Sequence, residues 1–313
     1  MTAELGNSVL VYDVGGSHVS AAICLSGAYR LGPVASAPHP AEQTGEAFIQ
    51  LLYLLGVKAI ESWGNVGGAE IAIPGPFDFA AGVSHMRHKL PYLYGVDLRA
   101  GLAERFGWQP AKVRFLLDSA AFLLGELGAG EARGVERAVG ITLGTGIGSA
   151  FAVNDQIVTE EKGVPPGGEI WNLPYEGGIV EDFVSTRAIQ GSYQKRTGKL
   201  LKVAEIAAAT PGNADAVAVF TEFGSHLGRA LRMILPEFNP KIVVLGGGIS
   251  RSAQIFLPAA IKHLEGTEMQ LRVSKLLDNA PLVGAAVAWF NSSNGAQSPP
   301  LPSDAKPIPA VTR

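Results

Sequence analysis

The stretch Arg137–Val153, RAVGITLGTGIGSAFAV, decides how the rest of the chain is read. RAVGITL has the character of a strand, the glycines at 144, 146 and 148 mark a turn, and SAFAV continues as a second strand. A dinucleotide fold needs G-x-G-x-x-G after a strand, with the last glycine opening a helix. Here the spacing is G-x-G-x-G and a strand follows, so that fold is excluded. No Gly-Lys-Ser/Thr follows either, which excludes a P-loop. Two readings of the turn remain. Glycine supplies the positive φ of a tight hairpin. A turn without side chains also lets backbone N–H groups converge on a phosphate.

The same unit opens the chain. Residues 8–25 give the strand VLVYD, the turn VGGS and the strand HVSAAICL, in which Val19, Ala21, Ile23 and Leu25 alternate as a half-buried strand requires. Helical periodicity follows in GEAFIQLLYLLGV (45–57) and in DLRAGLAERFG (97–107), which ends on a glycine. Between them GAEIAIPGPFD (68–78) is an apolar strand closed by a Pro-Gly-Pro turn. KVRFLLD (112–118) is a strand and SAAFLLGELGAGEA (119–132) a helix. Beyond the central hairpin, AFAVNDQIV (150–158) reads as one strand and residues 216–235 as a long helix. KIVVL (241–245) is a strand that enters the turn GGGIS, a further helix follows, and PLVGAAVAWF (281–290) is the last helix.

A strand–glycine turn–strand unit followed by alternating helices and strands thus occurs twice. The fold class expected is α/β, with two lobes on a duplicated plan. The first lobe is expected over 1–117, with the helix at about 280–292 packing back on it, and the second over 118–279. The tail 293–313, rich in Pro, Ser and Asn, is expected to be disordered.

Composition narrows the function. The chain has 313 residues, enough for two ordinary domains, with 47% hydrophobic and 17% charged residues. Its net charge of −3 offers no basic surplus for nucleic acid or an anionic membrane. No apolar run approaches the ~20 residues that span a bilayer. The N-terminus lacks the basic and apolar regions of a signal peptide. Cys24 is the only cysteine, so neither an internal disulfide nor a cysteine zinc cluster is available, and a cytoplasmic location is expected.

The series VYDVGGS, AIPGPFD, LDSAAFLLGELGAG, ITLGTGIGSAF, GGE, VEDFVSTRAI and NPKIVVLGGGIS resembles the ROK sugar kinases of the actin/hexokinase/acetate-kinase superfamily, in order from about residue 8 to about residue 290. The resemblance implies two RNase-H-like lobes, ATP and Mg²⁺, a hexose acceptor and a homodimer. It gives Asp13, Gly15, Gly16 and Ser17 to a first phosphate loop, with Asp13 holding Mg²⁺ through water, and Gly144, Thr145, Gly146 and Gly148 to a second. The two turns are expected to hold a triphosphate across a cleft. Gly246, Gly247 and Gly248 fall near adenosine, and Gly75, Pro76, Asp118, Glu169, Asn172 and Glu181 near the sugar. Gly246–Gly248 also read as a plain strand–helix turn.

Asp118 itself carries two roles. It stands between a strand and a helix, where an aspartate caps. It also ends a strand of an α/β sheet, where ligands bind, and matches the catalytic aspartate of the family's Asn-Asp-Ala-Asn stretch. One oxygen can cap while the other takes the proton of a sugar hydroxyl.

The departures from the family pattern bear on the acceptor. Asn-Asp-Ala-Asn is here Leu117-Asp118-Ser119-Ala120, so two amides are lost. Gly-Glu-Ile-Gly-His is Gly168-Glu169-Ile170-Trp171-Asn172. Trp171 suits either a sugar face or the core. The family's cysteine cluster is missing from LPYEGGIVEDF, so no zinc is expected. His85, His88 and Lys89 lie on a loop after the Pro-Gly-Pro turn and read as solvated. Glucose is therefore not assumed, and an N-acyl amino sugar or fructose stays open. A non-catalytic sugar or nucleotide binder is the competing reading. A repressor is disfavoured, because the first strand begins too early for a helix-turn-helix.

Overall fold

A computed structural model describes residues 7–293; the tail expected to be disordered lies outside the described residues, except for Ser293 at the end of a helix. The chain divides into two compact units, one of residues up to Ala121 together with those from Pro281 on, the other of Phe122–Ala280.

In the first unit β1 (Ser8–Val14) and β2 (His18–Leu25) form an antiparallel hairpin with Val14 opposite Val19. Short strands β3 (Arg30–Leu31) and β4 (Ala35–Pro38) both pair with β2. Helix α1 (Gly45–Trp63) follows, with the Thr44 hydroxyl accepting the Ala47 N–H at 3.2 Å as its N-cap. Phe48, Leu52, Leu55 and Ala59 recur at helical spacing and are the face it buries. β5 (Ala69–Ile73) pairs with β1 in parallel. A small hairpin of β6 (Phe77–Asp78) and β7 (Val83–Ser84) leads on to α2 (Leu98–Phe106), which Asp97 caps and Gly107 ends at φ 65°. β8 (Val113–Leu117) then pairs with β5 in parallel, and α3 (Asp118–Ala129) leaves its end.

β2 differs from the half-buried strand expected. Val19, Ala21 and Ile23 pack into the core with α1, but Ser20, Ala22 and Cys24 on the opposite face are buried too. Small residues on that face let the sheet be covered on both sides, which alternation of hydrophobicity does not reveal.

The second unit repeats the plan. β9 (Arg137–Leu143) and β10 (Ile147–Val153) make the antiparallel hairpin, with Leu143 opposite Ile147. The single strand expected over 150–158 is two strands: Asn154 and Asp155, at φ 49° and 62°, turn the chain into β11 (Gln156–Val158). Two consecutive left-handed residues give the tight hairpin turn that Asn and Asp tolerate best after glycine. A two-residue-stranded hairpin, β12 (Pro174–Tyr175) and β13 (Gly178–Ile179), precedes the helices α4 (Val180–Phe183), α5 (Thr186–Thr197), α6 (Val203–Ala209) and α7 (Ala214–Ile234). β14 (Ile242–Gly246) runs parallel to β9; after it come α8 (Ala253–Leu264) and β15 (Gln270–Val273), parallel to β14.

The two sheets have one order. The first runs β3-β2-β1-β5-β8 and the second β11-β10-β9-β14-β15. In each, an antiparallel hairpin is extended by two parallel strands, so the duplication expected from the glycine turns holds at the level of strand pairing. The last helix, α9 (Ala280–Ser293), belongs mainly to the first unit, where Arg114 of β8 stacks over Trp289 at 4.2 Å and reaches the Ala288 carbonyl. No helix among the described residues is long and apolar enough to cross a membrane.

Candidate functional site

In the first unit three adjacent parallel strands, β1, β5 and β8, end on the same edge of the sheet. Asp13 lies at the end of β1, the Pro74-Gly75-Pro76 turn follows β5, and Asp118 follows β8. Strands lie about 4.8 Å apart, so the outer two positions are roughly 10 Å apart along that edge. Ligands of α/β sheets bind at such carboxyl ends.

Asp118 is half-buried, and its Oδ1 accepts the Ser119 N–H at 2.8 Å. The bond goes to the adjacent residue of the first turn, not to the N2 or N3 N–H that an N-cap side chain takes. The second carboxylate oxygen takes no hydrogen bond among the described residues. Leu117 packs against the core and would touch a β-carbon on Gly75 at 3.7 Å, so the edge is apolar where the family pattern has an amide. Ala120 is buried.

The first glycine turn is closed by Gly15 N–H donating to the His18 carbonyl at 3.0 Å. Its outer side is held by a residue that the sequence reading missed. His39 Nε2 lies 2.9 Å from the Gly15 carbonyl, and the His39 N–H donates to the Ser17 carbonyl at 3.2 Å. A carbonyl only accepts, so Nε2 carries the proton, and in the neutral ring Nδ1 then accepts from Tyr92 Oη at 2.6 Å. Burial raises the Tyr92 phenol above its ordinary pKa, which keeps it a donor. Phe48 stacks on the imidazole at 5.7 Å. With the carbonyls of Gly15 and Ser17 engaged, the N–H groups of Gly16 and Ser17 have no backbone partner among the described residues.

The second unit gathers its own set. The turn after β9 is closed by Gly144 N–H to the Gly146 carbonyl at 2.9 Å. The Gly144 carbonyl accepts from both the Thr186 hydroxyl, at 2.8 Å, and the Thr186 N–H, at 3.0 Å. Glu181 Oε2 accepts the Ile147 N–H at 3.2 Å, and a β-carbon on Gly146 would overlap that carboxylate. A side chain at position 146 would therefore displace the Glu181 carboxylate. A β-carbon on Gly144 would meet nothing, and Thr145 is exposed.

Trp171 links the two acids expected near the sugar. Its indole N–H donates to Glu169 Oε2 at 3.0 Å, and its carbonyl accepts the Glu181 N–H at 3.0 Å. The ring is half-buried against the core, the second of its two expected settings, and its N–H holds Glu169. Ser149, the last residue of the glycine motif, donates to the Gly168 carbonyl at 2.6 Å and accepts the Ile170 N–H at 3.1 Å, which fixes the backbone around Glu169. Asn172 is exposed.

Gly246 and Gly247 have reasons internal to the fold. A β-carbon on Gly246 would overlap the Phe122 ring, and one on Gly247, at φ 80°, would overlap the Leu143 carbonyl. Gly248 alone of the three faces open space.

The β12–β13 hairpin stands where the family pattern has cysteines. It is pinned to α7: Tyr175 Oη lies 3.1 Å from His226 Nδ1 and accepts from Arg229 Nε at 3.2 Å, while Glu176 pairs with Arg229 at 3.1 Å. No cluster of three or more potential metal ligands occurs among the described residues.

The family model described as the ROK family matches residues 9–292. A glucokinase of Thermotoga maritima is 31% identical over 252 residues, 69% of this chain and 77% of that protein. An N-acetyl-D-glucosamine kinase of Yersinia enterocolitica is 27% identical, over 85% of this chain and 91% of its own. Among solved structures, a ROK family glucokinase from Streptomyces griseus in complex with glucose and AMPPNP superposes with a TM-score of 0.75 at 22% identity, covering 89% of this chain and 98% of that one. These relatives are sugar kinases, the enzyme class the resemblance implied.

Proposed function

The chain belongs to the ROK family, and from that premise we propose that it transfers the γ-phosphoryl group of ATP to a hydroxyl of a hexose or hexose derivative. The observation that carries the reading is the sheet edge of the first unit, where Asp13, the Pro-Gly-Pro turn and Asp118 end three neighbouring parallel strands.

Asp118 acts as general base. A sugar hydroxyl attacks phosphorus poorly while it keeps its proton, and the Asp118 oxygen not spent on Ser119 accepts that proton as the O–P bond forms. Glu169, oriented by Trp171, and Glu181 accept hydrogen bonds from sugar hydroxyls. The turn N–H groups of Gly16 and Ser17 donate to phosphate oxygens without reorganising. Asp13, a hard oxygen donor at the strand end, would hold Mg²⁺ through water; the ion, when bound, draws charge from the β- and γ-phosphate oxygens. The resemblance adds a homodimer, and the single cysteine suits a cytoplasmic location.

Neutral amides are absent at positions 117 and 120, and Asn172 stands in place of a histidine, so the acceptor is not fixed as glucose. A coupled ADP-release assay with glucose, N-acetylglucosamine, N-acetylmannosamine and fructose tests the reading. Sugar-dependent ADP release that Asp118→Asn abolishes supports it. Binding of nucleotide or sugar with no turnover on any acceptor would favour a non-catalytic binder instead.

A further inference from the structure

Directly after the Pro-Gly-Pro turn the chain makes the β6–β7 hairpin and enters the loop His85-Met86-Arg87-His88-Lys89. The loop is hung from the candidate sugar turn itself: the His85 N–H donates to the Pro76 carbonyl at 3.1 Å. It is also anchored from below. Met86, Leu90 and Leu93 are buried in the core of the first unit, and the Ser84 hydroxyl accepts the Met86 N–H at 3.3 Å. The four side chains between and beside these anchors, His85, Arg87, His88 and Lys89, are all exposed. An anchored backbone with every polar side chain turned outward is a presented surface.

The charges on it are not spent inside the protein. No ion pair among the described residues involves His85, Arg87, His88 or Lys89. The only acids between Pro76 and Leu98 are Asp78 and Asp97, and each holds a backbone N–H, of Ala81 and Ala100, at 2.8 Å. Arg87 is positioned by an aromatic rather than an acid. Its guanidinium lies 4.0 Å from the Tyr94 ring centre and donates to the Tyr94 hydroxyl, while His85 meets the same ring edge-on at 6.5 Å. Stacking on an aromatic face leaves the edge N–H donors of an arginine available for an anion.

We propose that the His85–Lys89 loop reads an anionic group, a carboxylate or a phosphate, on the acceptor sugar. This deepens the kinase reading and rests on it for the place of the sugar at Gly75 and Pro76. It also gives the lost amides a counterpart: with Leu117 and Ala120 removing neutral hydrogen-bond partners, recognition moves to charge-assisted contacts, which are stronger and select against neutral hexoses.

The test is calorimetric titration of the full chain with a neutral hexose, the matching hexuronate, and the matching hexose 1- and 6-phosphates, at low and high salt. At least one anionic form is expected to bind more tightly than the neutral parent, with a preference that salt weakens. Arg87→Ala together with Lys89→Ala should reduce that preference about tenfold, the size of one charge-assisted contact, while ATP affinity stays unchanged. The uronate and phosphate arms identify which anion is read. A neutral hexose bound as tightly as every anionic form, or a preference that survives both substitutions, overturns the proposal. Turnover of a neutral hexose without anion preference would leave the kinase standing and remove this inference. Anion preference without ADP release would do the reverse.

Discussion

In the first unit the carbonyl of the opening glycine of the turn, Gly15, is held by the His39 imidazole; in the second, the carbonyl of Gly144 is held by the hydroxyl and N–H of Thr186. Both devices fix a carbonyl beside N–H groups that have no backbone partner among the described residues. The turns then part. In the second, a carboxylate, Glu181, takes the Ile147 N–H and lies against Gly146. The first is braced by the imidazole of His39 instead. Each turn has an acid near it, Asp13 at the end of β1 and Glu181 at the second turn, but only Glu181 takes up a backbone N–H of its turn strand, that of Ile147. The two glycine turns are therefore braced differently, the second by a carboxylate from a residue more than thirty positions away. The second turn is also tied through Trp171 to Glu169, so it is coupled to the acids assigned to the sugar.

The sheets behind the turns also differ. β5 carries Glu70, buried and paired with Arg114 of β8 at 2.6 Å, whereas β14, its counterpart in the second unit, is apolar throughout. Burial pushes the Glu70 carboxyl up to about 7, against the pull of Arg114. Below about pH 4.5 the proton stays on Glu70 whether the chain is folded or not. As pH rises towards 7 only the unfolded chain releases it, so stability falls across that window by about 3 kcal/mol. Glu70→Gln should flatten this decline in urea midpoints measured across the window; an unaltered slope would remove Glu70 as its source.

A smaller effect separates the two turns directly. Glu181→Ala should lower kcat/KM for the sugar by about 10–100-fold, the worth of hydrogen bonds to a charged group, and should not raise the KM for ATP, because a negative charge leaves the second turn. If the KM for ATP rises while the sugar kcat/KM falls, Glu181 is a brace and nothing more. Smallest is the effect of His39→Ala. A neutral hydrogen bond is worth ~1 kcal/mol, so the KM for ATP should rise about fivefold with the sugar KM unchanged. His39→Gln, which keeps a donor for the Gly15 carbonyl, should recover part of it. A sugar KM that moves instead would separate His39 from the first turn.

The hairpins, the parallel strands and their duplicated order were legible because glycine turns and apolar runs are local signals. The helices α4, α5 and α6 were not. α5 reads TRAIQGSYQKRT and buries only Ile189 and Tyr193, too sparse a stripe to register as periodicity. The strand-end positions of Asp13 and Asp118 were legible from pattern; their roles came only from the family resemblance. His39 was not legible: it lies between prolines in an unremarkable segment, and its contact with Gly15 is made only when β4 pairs with β2. The role of Trp171 was left between two settings for the same reason, since its partner Glu169 is two residues away and only the folded turn brings them into register.

The measurement that bears most directly on the account is the turnover of Asp118→Asn with the best acceptor sugar. Asparagine keeps the size and can still accept the Ser119 N–H, but it cannot receive a proton as a carboxylate does. General-base catalysis supplies about 10²–10⁴-fold, so kcat should fall by that order with sugar and ATP affinities and thermal stability nearly unchanged. Turnover close to that of the unaltered enzyme would contradict the account, leaving Asp118 only a partner of the Ser119 N–H and the sheet edge of the first unit without its base.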